Sequence, residues 1–121
     1  KNKKLVYLML LAFIISVLLA FIIKLIISRQ RPDEIFTYPI INILNYSFPS
    51  MHSMAAFSLL PILARYLNKQ KPFWIAFAFL VAFSRIYFGF HFLSDVVFGA
   101  VAGYIIGNSL TGLYEKKKLW P

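Results

Sequence analysis

Apolar residues occur along this chain in four runs that short polar stretches separate. The runs cover residues 5–27, 51–67, 73–87 and 92–113, and Ser16 and Lys24 interrupt the first. This first run is long enough to cross about 30 Å of hydrocarbon. Because backbone groups in lipid must hydrogen-bond within their own segment, all four runs predict helices. We therefore predict an all-α fold, a polytopic membrane bundle forming one domain over residues 1–121.

Composition supports a bilayer as the solvent of this chain. Hydrophobic residues make up 60% of it and charged residues only 14%, whereas soluble domains average about 45–50% apolar and about 25% charged residues. The chain has no cysteine, which excludes disulfides and thiolate chemistry.

Positive charge is distributed in a way that predicts membrane topology. The net charge is +9, but the basic residues sit at the ends of apolar runs and form no continuous basic face, so we exclude nucleic acid as a partner. An up-down-up-down path places three basic clusters on one side, which the positive-inside rule assigns to the cytoplasm. The clusters consist of Lys1, Lys3, Lys4, Arg65, Lys69, Lys71, Lys116, Lys117 and Lys118.

A second group of polar residues falls on the opposite, extracytoplasmic side, where cations are disfavoured. A bound anion would explain the group. Residues 28–49, which contain three prolines, predict an outer loop with a short interfacial helix that roofs the site. The group consists of Lys24, Arg29, Arg31, Arg85, His52, His91 and Asp95.

His91 and Asp95 are four residues apart at the start of the fourth helix, and so share a face. Asp95 can accept a hydrogen bond from Nδ1–H of His91, leaving Nε2 free to attack an electrophile. The pair could instead be structural and tie down the helix start. Gly89 and Phe90, just before it, suit the turn between two helices.

Two further blocks carry candidate anion ligands. Ser50 is a predicted N-cap, and His52 in the following first turn could donate a proton to a leaving oxygen; the alternative is a capped helix with an interfacial histidine. Lys24 and Arg31 are two helical turns apart and line one face if the first helix continues to Pro32. We interpret Arg29 as a side chain that merely reaches the interface.

Taken in order, these blocks resemble the three-part signature of the type 2 phosphatidic acid phosphatase superfamily. The resemblance runs from Lys24 with Arg31 and Pro32, through Pro49-Ser50 with His52, to Ser84-Arg85 with His91 and Asp95. Met51 departs from the family, which usually has glycine there. Membrane members usually have six helices, and the four runs match the last four, so we expect a trimmed N-terminus or a minimal version.

The resemblance implies a role for each residue. His91 would attack phosphorus and form a phosphohistidine, Asp95 would orient His91, and His52 would protonate the leaving oxygen. No metal or other cofactor would be needed, since Asp33 and Glu34 are the only other outer carboxylates. The non-bridging phosphate oxygens would be held by Lys24, Arg31, Arg85, Ser50 and the N–H group of Met51.

The implied substrate is a membrane lipid that carries a phosphate or diphosphate, cleaved on the outer face of a bacterial or archaeal cytoplasmic membrane. Candidates are phosphatidylglycerophosphate, phosphatidate, a polyprenyl diphosphate and a lipid A phosphate. Two other functions stay open. One is a transporter or binding protein for an anionic lipid head group. The other is a haem-binding bundle with His52 and His91 as axial ligands.

Overall fold

A computed structural model describes residues 2–32, 46–117 and 119. Within these ranges the chain forms four α-helices: α1 (Asn2–Ile27), α2 (Met51–Tyr66), α3 (Lys71–Tyr87) and α4 (Leu93–Glu115). A short 3₁₀ helix over Asn68–Gln70 joins α2 to α3. The predicted all-α fold is confirmed, with one helix for each apolar run. The interfacial helix and roof predicted within residues 28–49 fall largely on residues 33–45, which lie outside the described residues.

Two of the helices are long and apolar enough to cross a bilayer, namely Lys3–Ile27 of α1 and Leu93–Glu115, the whole of α4. Large apolar side chains point outward from the bundle on α1, α3 and α4, for example Ile26, Leu80 and Leu93. Such a surface would be unfavourable in water but matches the hydrocarbon of a membrane.

The closest packing in the bundle joins α2 to α4 and depends on glycine. Gly99, Gly103 and Gly107 follow one another at four-residue intervals on α4, so they share a face. A Cβ atom at position 99 would lie 2.7 Å from the backbone oxygen of Ser50, and one at position 103 would overlap the carbonyl of Met54. Only glycine therefore lets the two backbones approach so closely, as is common between membrane helices.

The helix path brings the described members of the three basic clusters to one end of the bundle. Leu8 of α1, Ile62 of α2 and Leu110 of α4 pack in one apolar cluster near that end. Arg65, in the last turn of α2, also pairs with Glu115 at the end of α4, at 2.8 Å. The predicted up-down-up-down path is thus confirmed, and the residues of the candidate site lie at the opposite end.

Candidate active site

The first helix stops earlier than the sequence suggests. α1 ends at Ile27, and Ser28 has a φ of 52°, in the left-handed region that closes a helix. The first helix therefore does not continue to Pro32, which was the condition for Lys24 and Arg31 to share a helix face. Arg31 lies in the chain that follows, where its Nη1 donates to the carbonyl of Phe90 at 3.1 Å and lies 3.3 Å from Nε2 of His91.

Lys24 lies inside the bundle and is only 1% exposed. Its Nζ donates to the carbonyls of Tyr46 and Pro49, at 2.9 and 2.7 Å. These bonds tie the segment before α2 to the end of α1. Burying a charged group is costly unless it is hydrogen-bonded, and these two bonds provide partners for the buried Lys24 ammonium.

The first turn of α2 lies against the start of α4. Ser50 is the N-cap, as predicted, since its Oγ accepts from the N–H of Ser53 at 3.3 Å. The N–H of Ser50 in turn donates to the carbonyl of Asp95 at 3.1 Å. Met51 and His52 follow in the first turn, and the His52 side chain is exposed. This contact places His52 beside the residues that precede α4.

His91 lies in the turn between α3 and α4 and is 3% exposed. Gly89 has a φ of 77°, which confirms the predicted turn. The carbonyl of Arg85, in the last turn of α3, accepts from the N–H groups of both Phe90 and His91 at 3.1 Å. The guanidinium of Arg85 lies over the ring of Phe90, 4.5 Å from its centroid. One residue thus fixes the backbone of the turn and contributes a cation beside it.

The Nδ1 atom of His91 has a nearer partner that the sequence did not predict, in addition to Asp95. It lies 2.8 Å from the carbonyl oxygen of Ser47 and 3.6 Å from Oδ2 of Asp95, which is beyond hydrogen-bond distance. Because a carbonyl can only accept, Nδ1 carries the proton, and Nε2 of the neutral ring keeps its lone pair. The expected tautomer is retained, with the Ser47 carbonyl as the nearest partner of Nδ1 and Asp95 beside it as an ion-pair contact. Burial lowers the pKa of His91, which favours the neutral ring.

Asp95 is completely buried and accepts several hydrogen bonds. Oδ2 accepts from the hydroxyl of Ser47 and from the N–H of Phe92, the latter at 2.8 Å. Oδ1 accepts from Nη1 of Arg29 at 2.7 Å, and the same nitrogen donates to Oγ of Ser94 at 2.6 Å. The interpretation of Arg29 as a side chain that merely reaches the interface is therefore wrong. Sequence reasoning missed Ser47 entirely, because no motif marks a backbone carbonyl.

The cations predicted to bind phosphate converge on the two histidines. The imidazoles of His52 and His91 each lie within electrostatic range of Lys24, Arg31 and Arg85. Asp95, paired with Arg29, is the acidic residue at this end of the described chain. In residues 2–32 and 46–117, no three His, Cys, Asp or Glu side chains group as metal ligands would. This excess of positive charge suits an anion.

Residues 5–119 match the model of the PAP2 superfamily. The chain belongs to the PAP2 superfamily. The resemblance noted from the three sequence blocks is thereby confirmed.

Relatives and solved structures agree with this assignment. Phosphatidylglycerophosphatase B of Bacillus subtilis is 37% identical over 92% of this chain and 59% of its own length. The bacitracin transport permease protein BcrC of Bacillus licheniformis is 32% identical over 85% of this chain and 52% of its own length. The chain thus spans between half and three fifths of these two relatives.

Two crystal structures share the fold. The transmembrane PAP2-type phosphatidylglycerolphosphate phosphatase of B. subtilis superposes with a TM-score of 0.73 at 33% identity, covering 91% of this chain and 59% of that one. LpxE of Aquifex aeolicus superposes with a TM-score of 0.76 at 29% identity, covering 91% and 68%. Together with the apolar helices α1 and α4, these similar structures identify the chain as an integral membrane protein.

Proposed function

We propose that this chain carries the catalytic site of a membrane lipid phosphatase in which His91 is the nucleophile. The observation that supports this most directly is the environment of the His91 ring. Its Nδ1–H points at the Ser47 carbonyl, so the lone pair of Nε2 lies on the other side of the ring, 3.3 Å from the guanidinium of Arg31. A nucleophilic nitrogen beside a cation suits attack on a phosphate group.

The reaction would proceed in two transfers of the phosphoryl group. In the first, Nε2 of His91 forms a bond to phosphorus while the bond from phosphorus to the lipid oxygen breaks, and His52 gives its proton to that oxygen. In the second, a water oxygen bonds to phosphorus as the P–N bond breaks, and His52 takes the proton that the water loses. Inorganic phosphate leaves, and both histidines return to their starting states.

Positive charge would do most of the remaining work. The transition state of phosphoryl transfer spreads charge over the non-bridging oxygens, so catalysis depends on positioning and on cations that surround these oxygens. Lys24, Arg31 and Arg85 supply three cations, and Ser50 with the N–H group of Met51 supplies neutral donors at the N-terminus of α2, where the helix dipole favours an anion. Three side-chain cations would take the place of a divalent metal ion.

The substrate class follows from the membrane setting and from the names of relatives. One relative is named a phosphatidylglycerophosphatase, and a bilayer-embedded site suits an amphiphile better than a free sugar phosphate. We therefore infer a lipid that carries a phosphate or diphosphate. BcrC is named as a transport permease protein. Binding a lipid for transport, however, would not require a histidine whose tautomer is fixed, as that of His91 is by the 2.8 Å contact between Nδ1 and the Ser47 carbonyl.

Phosphate release from purified protein tests this function. The protein in detergent is offered phosphatidylglycerophosphate, phosphatidate, a polyprenyl diphosphate and a lipid A phosphate in turn. We expect at least one to release phosphate, with undiminished activity in EDTA and inhibition by vanadate, which mimics five-coordinate phosphorus. Lipid binding without release would favour the transport alternative. Loss of activity in EDTA that Mg²⁺ restores would contradict the metal-free mechanism.

We propose further that the site faces away from the cytoplasm, because the basic clusters occupy the opposite end of the bundle. The chain has no cysteine, so Gln30→Cys and Lys69→Cys each introduce a single thiol at an exposed position, one near each end. In intact cells, a membrane-impermeant maleimide should label position 30 at once and position 69 only after the membrane is permeabilised. The reverse pattern would place the site in the cytoplasm.

A further inference from the structure

Arg29 lies within the first block but is not one of the residues that carry the family resemblance, yet it contacts the buried carboxylate of the site. We propose that Arg29 is a positioning residue that holds Asp95 and keeps the imidazole of His91 neutral and oriented. This inference rests on the proposed function, because it assigns to Arg29 an effect on the reaction at His91.

The side chain of Arg29 forms the first link to the site. Its Nη1 lies 2.7 Å from Oδ1 of Asp95 and 2.6 Å from Oγ of Ser94, so it is bound to two residues in the first turn of α4. The guanidinium also lies 4.9 Å from the ring centroid of Phe48 and 5.8 Å from that of Phe92. These two aromatic rings help to hold the guanidinium in place.

The backbone of Arg29 forms the second link. Its carbonyl accepts from the N–H of Ser47 at 2.6 Å. The hydroxyl of Ser47 donates to Asp95, and the carbonyl of Ser47 lies 2.8 Å from Nδ1 of His91. Arg29, Ser47 and Asp95 therefore form a closed ring of hydrogen bonds, and His91 is attached to this ring through Ser47.

The charge of Arg29 bears on whether His91 can act. A buried carboxylate beside a histidine favours the imidazolium, which has no lone pair on Nε2 and cannot attack. A guanidinium on that carboxylate offsets its charge and so favours the neutral ring. The other charged groups that face His91 are Lys24 from α1, Arg31 from the chain after it, His52 from α2 and Arg85 from α3. All of them are cations or become cations, so Asp95 is the one described group that opposes the neutral form.

Neutralising Arg29 should therefore change both the rate and its pH dependence. We expect Arg29→Gln to lower kcat about 10- to 100-fold, by analogy with the loss of a hydrogen-bond partner that orients a metal-binding histidine, with little change in KM. The acid limb of the pH–rate profile should move to higher pH, because the less compensated Asp95 raises the pKa of His91. Arg29→Lys should restore part of the rate and return the limb toward its wild-type position.

Arg65→Gln provides a matched control. It also breaks an arginine–carboxylate pair to α4, at 2.8 Å from Glu115, but at the other end of the bundle. This variant should keep the wild-type rate and pH profile. If Arg29→Gln does not fold, Arg29→Met, which keeps an apolar stem between Phe48 and Phe92, replaces it.

A double-mutant comparison shows whether Arg29 acts through Asp95. In an Asp95→Asn background, Arg29→Gln should cost much less than it does alone, since the carboxylate is already gone. Equal losses in both backgrounds, or an unmoved acid limb, would overturn the role of Arg29. Wild-type protein that releases phosphate from no lipid would refute the proposed function instead, so the two failures are distinguishable.

Discussion

Replacing His91 with alanine should abolish phosphate release. The variant removes the imidazole whose Nε2 lies 3.3 Å from the Arg31 guanidinium, and with it the proposed nucleophile. Loss of the nucleophile in other covalent mechanisms costs on the order of 10⁶-fold. Phosphate release over hours, and radiolabelled phosphoprotein trapped in alkaline denaturant, should both fall to background.

The chain has only two histidines, which makes the other one a natural control. Any phosphohistidine, recognised by its lability in acid, must lie on His91 or His52. His52→Ala should therefore still yield labelled protein, whereas His91→Ala should yield none. Near wild-type turnover by His91→Ala would contradict its role as nucleophile, even though the family assignment would stand.

Replacing His52 with alanine should slow the enzyme in a way that depends on the leaving group. A lipid alkoxide needs a proton as it departs, and loss of a general acid typically costs about 10²- to 10⁴-fold. p-Nitrophenolate is stable without that proton, so release of p-nitrophenol in the first transfer should be much less affected. Because His52 would also activate water in the proposed second transfer, a burst of p-nitrophenol followed by slow turnover is expected.

Rapid-mixing measurements of p-nitrophenol and phosphate separate these two steps. The wild type provides the reference for both rates, and Lys69→Gln, an exposed charge change at the other end of the bundle, serves as the neutral control. Equal slowing of the lipid and p-nitrophenyl substrates, with no burst, would show that His52 does not protonate the leaving group.

The helices, their order and several local features of the candidate site could be predicted because each depends on residues that are close together in the chain. Runs of apolar residues are long enough to require a helix in lipid. Ser50 is a cap because its own side chain bonds to a backbone N–H three residues on. Gly89 forms the turn because its own φ is positive. The burial of Lys24 was visible as a charge deep inside an apolar run, where an isolated ammonium would be costly.

The contacts that organise the site could not be predicted in the same way, because they join residues far apart in the chain. Nδ1 of His91 lies on a carbonyl 44 residues away, and Arg29 binds a carboxylate 66 residues away. Every residue has a backbone carbonyl, so the sequence does not indicate that the carbonyl of Ser47 is the acceptor for His91. Arg29 and Arg31 are both arginines near the end of the same apolar run, so the sequence does not distinguish their roles. Their contacts differ because α1 ends before Ser28, after which the side chain of Arg29 reaches Asp95 and that of Arg31 reaches His91. The amino-acid sequence by itself thus determined the membrane bundle, the family signature and the set of charged residues. The tertiary structure decided which of those residues touch, because that depends on the close approach of α2 and α4 and on where α1 ends.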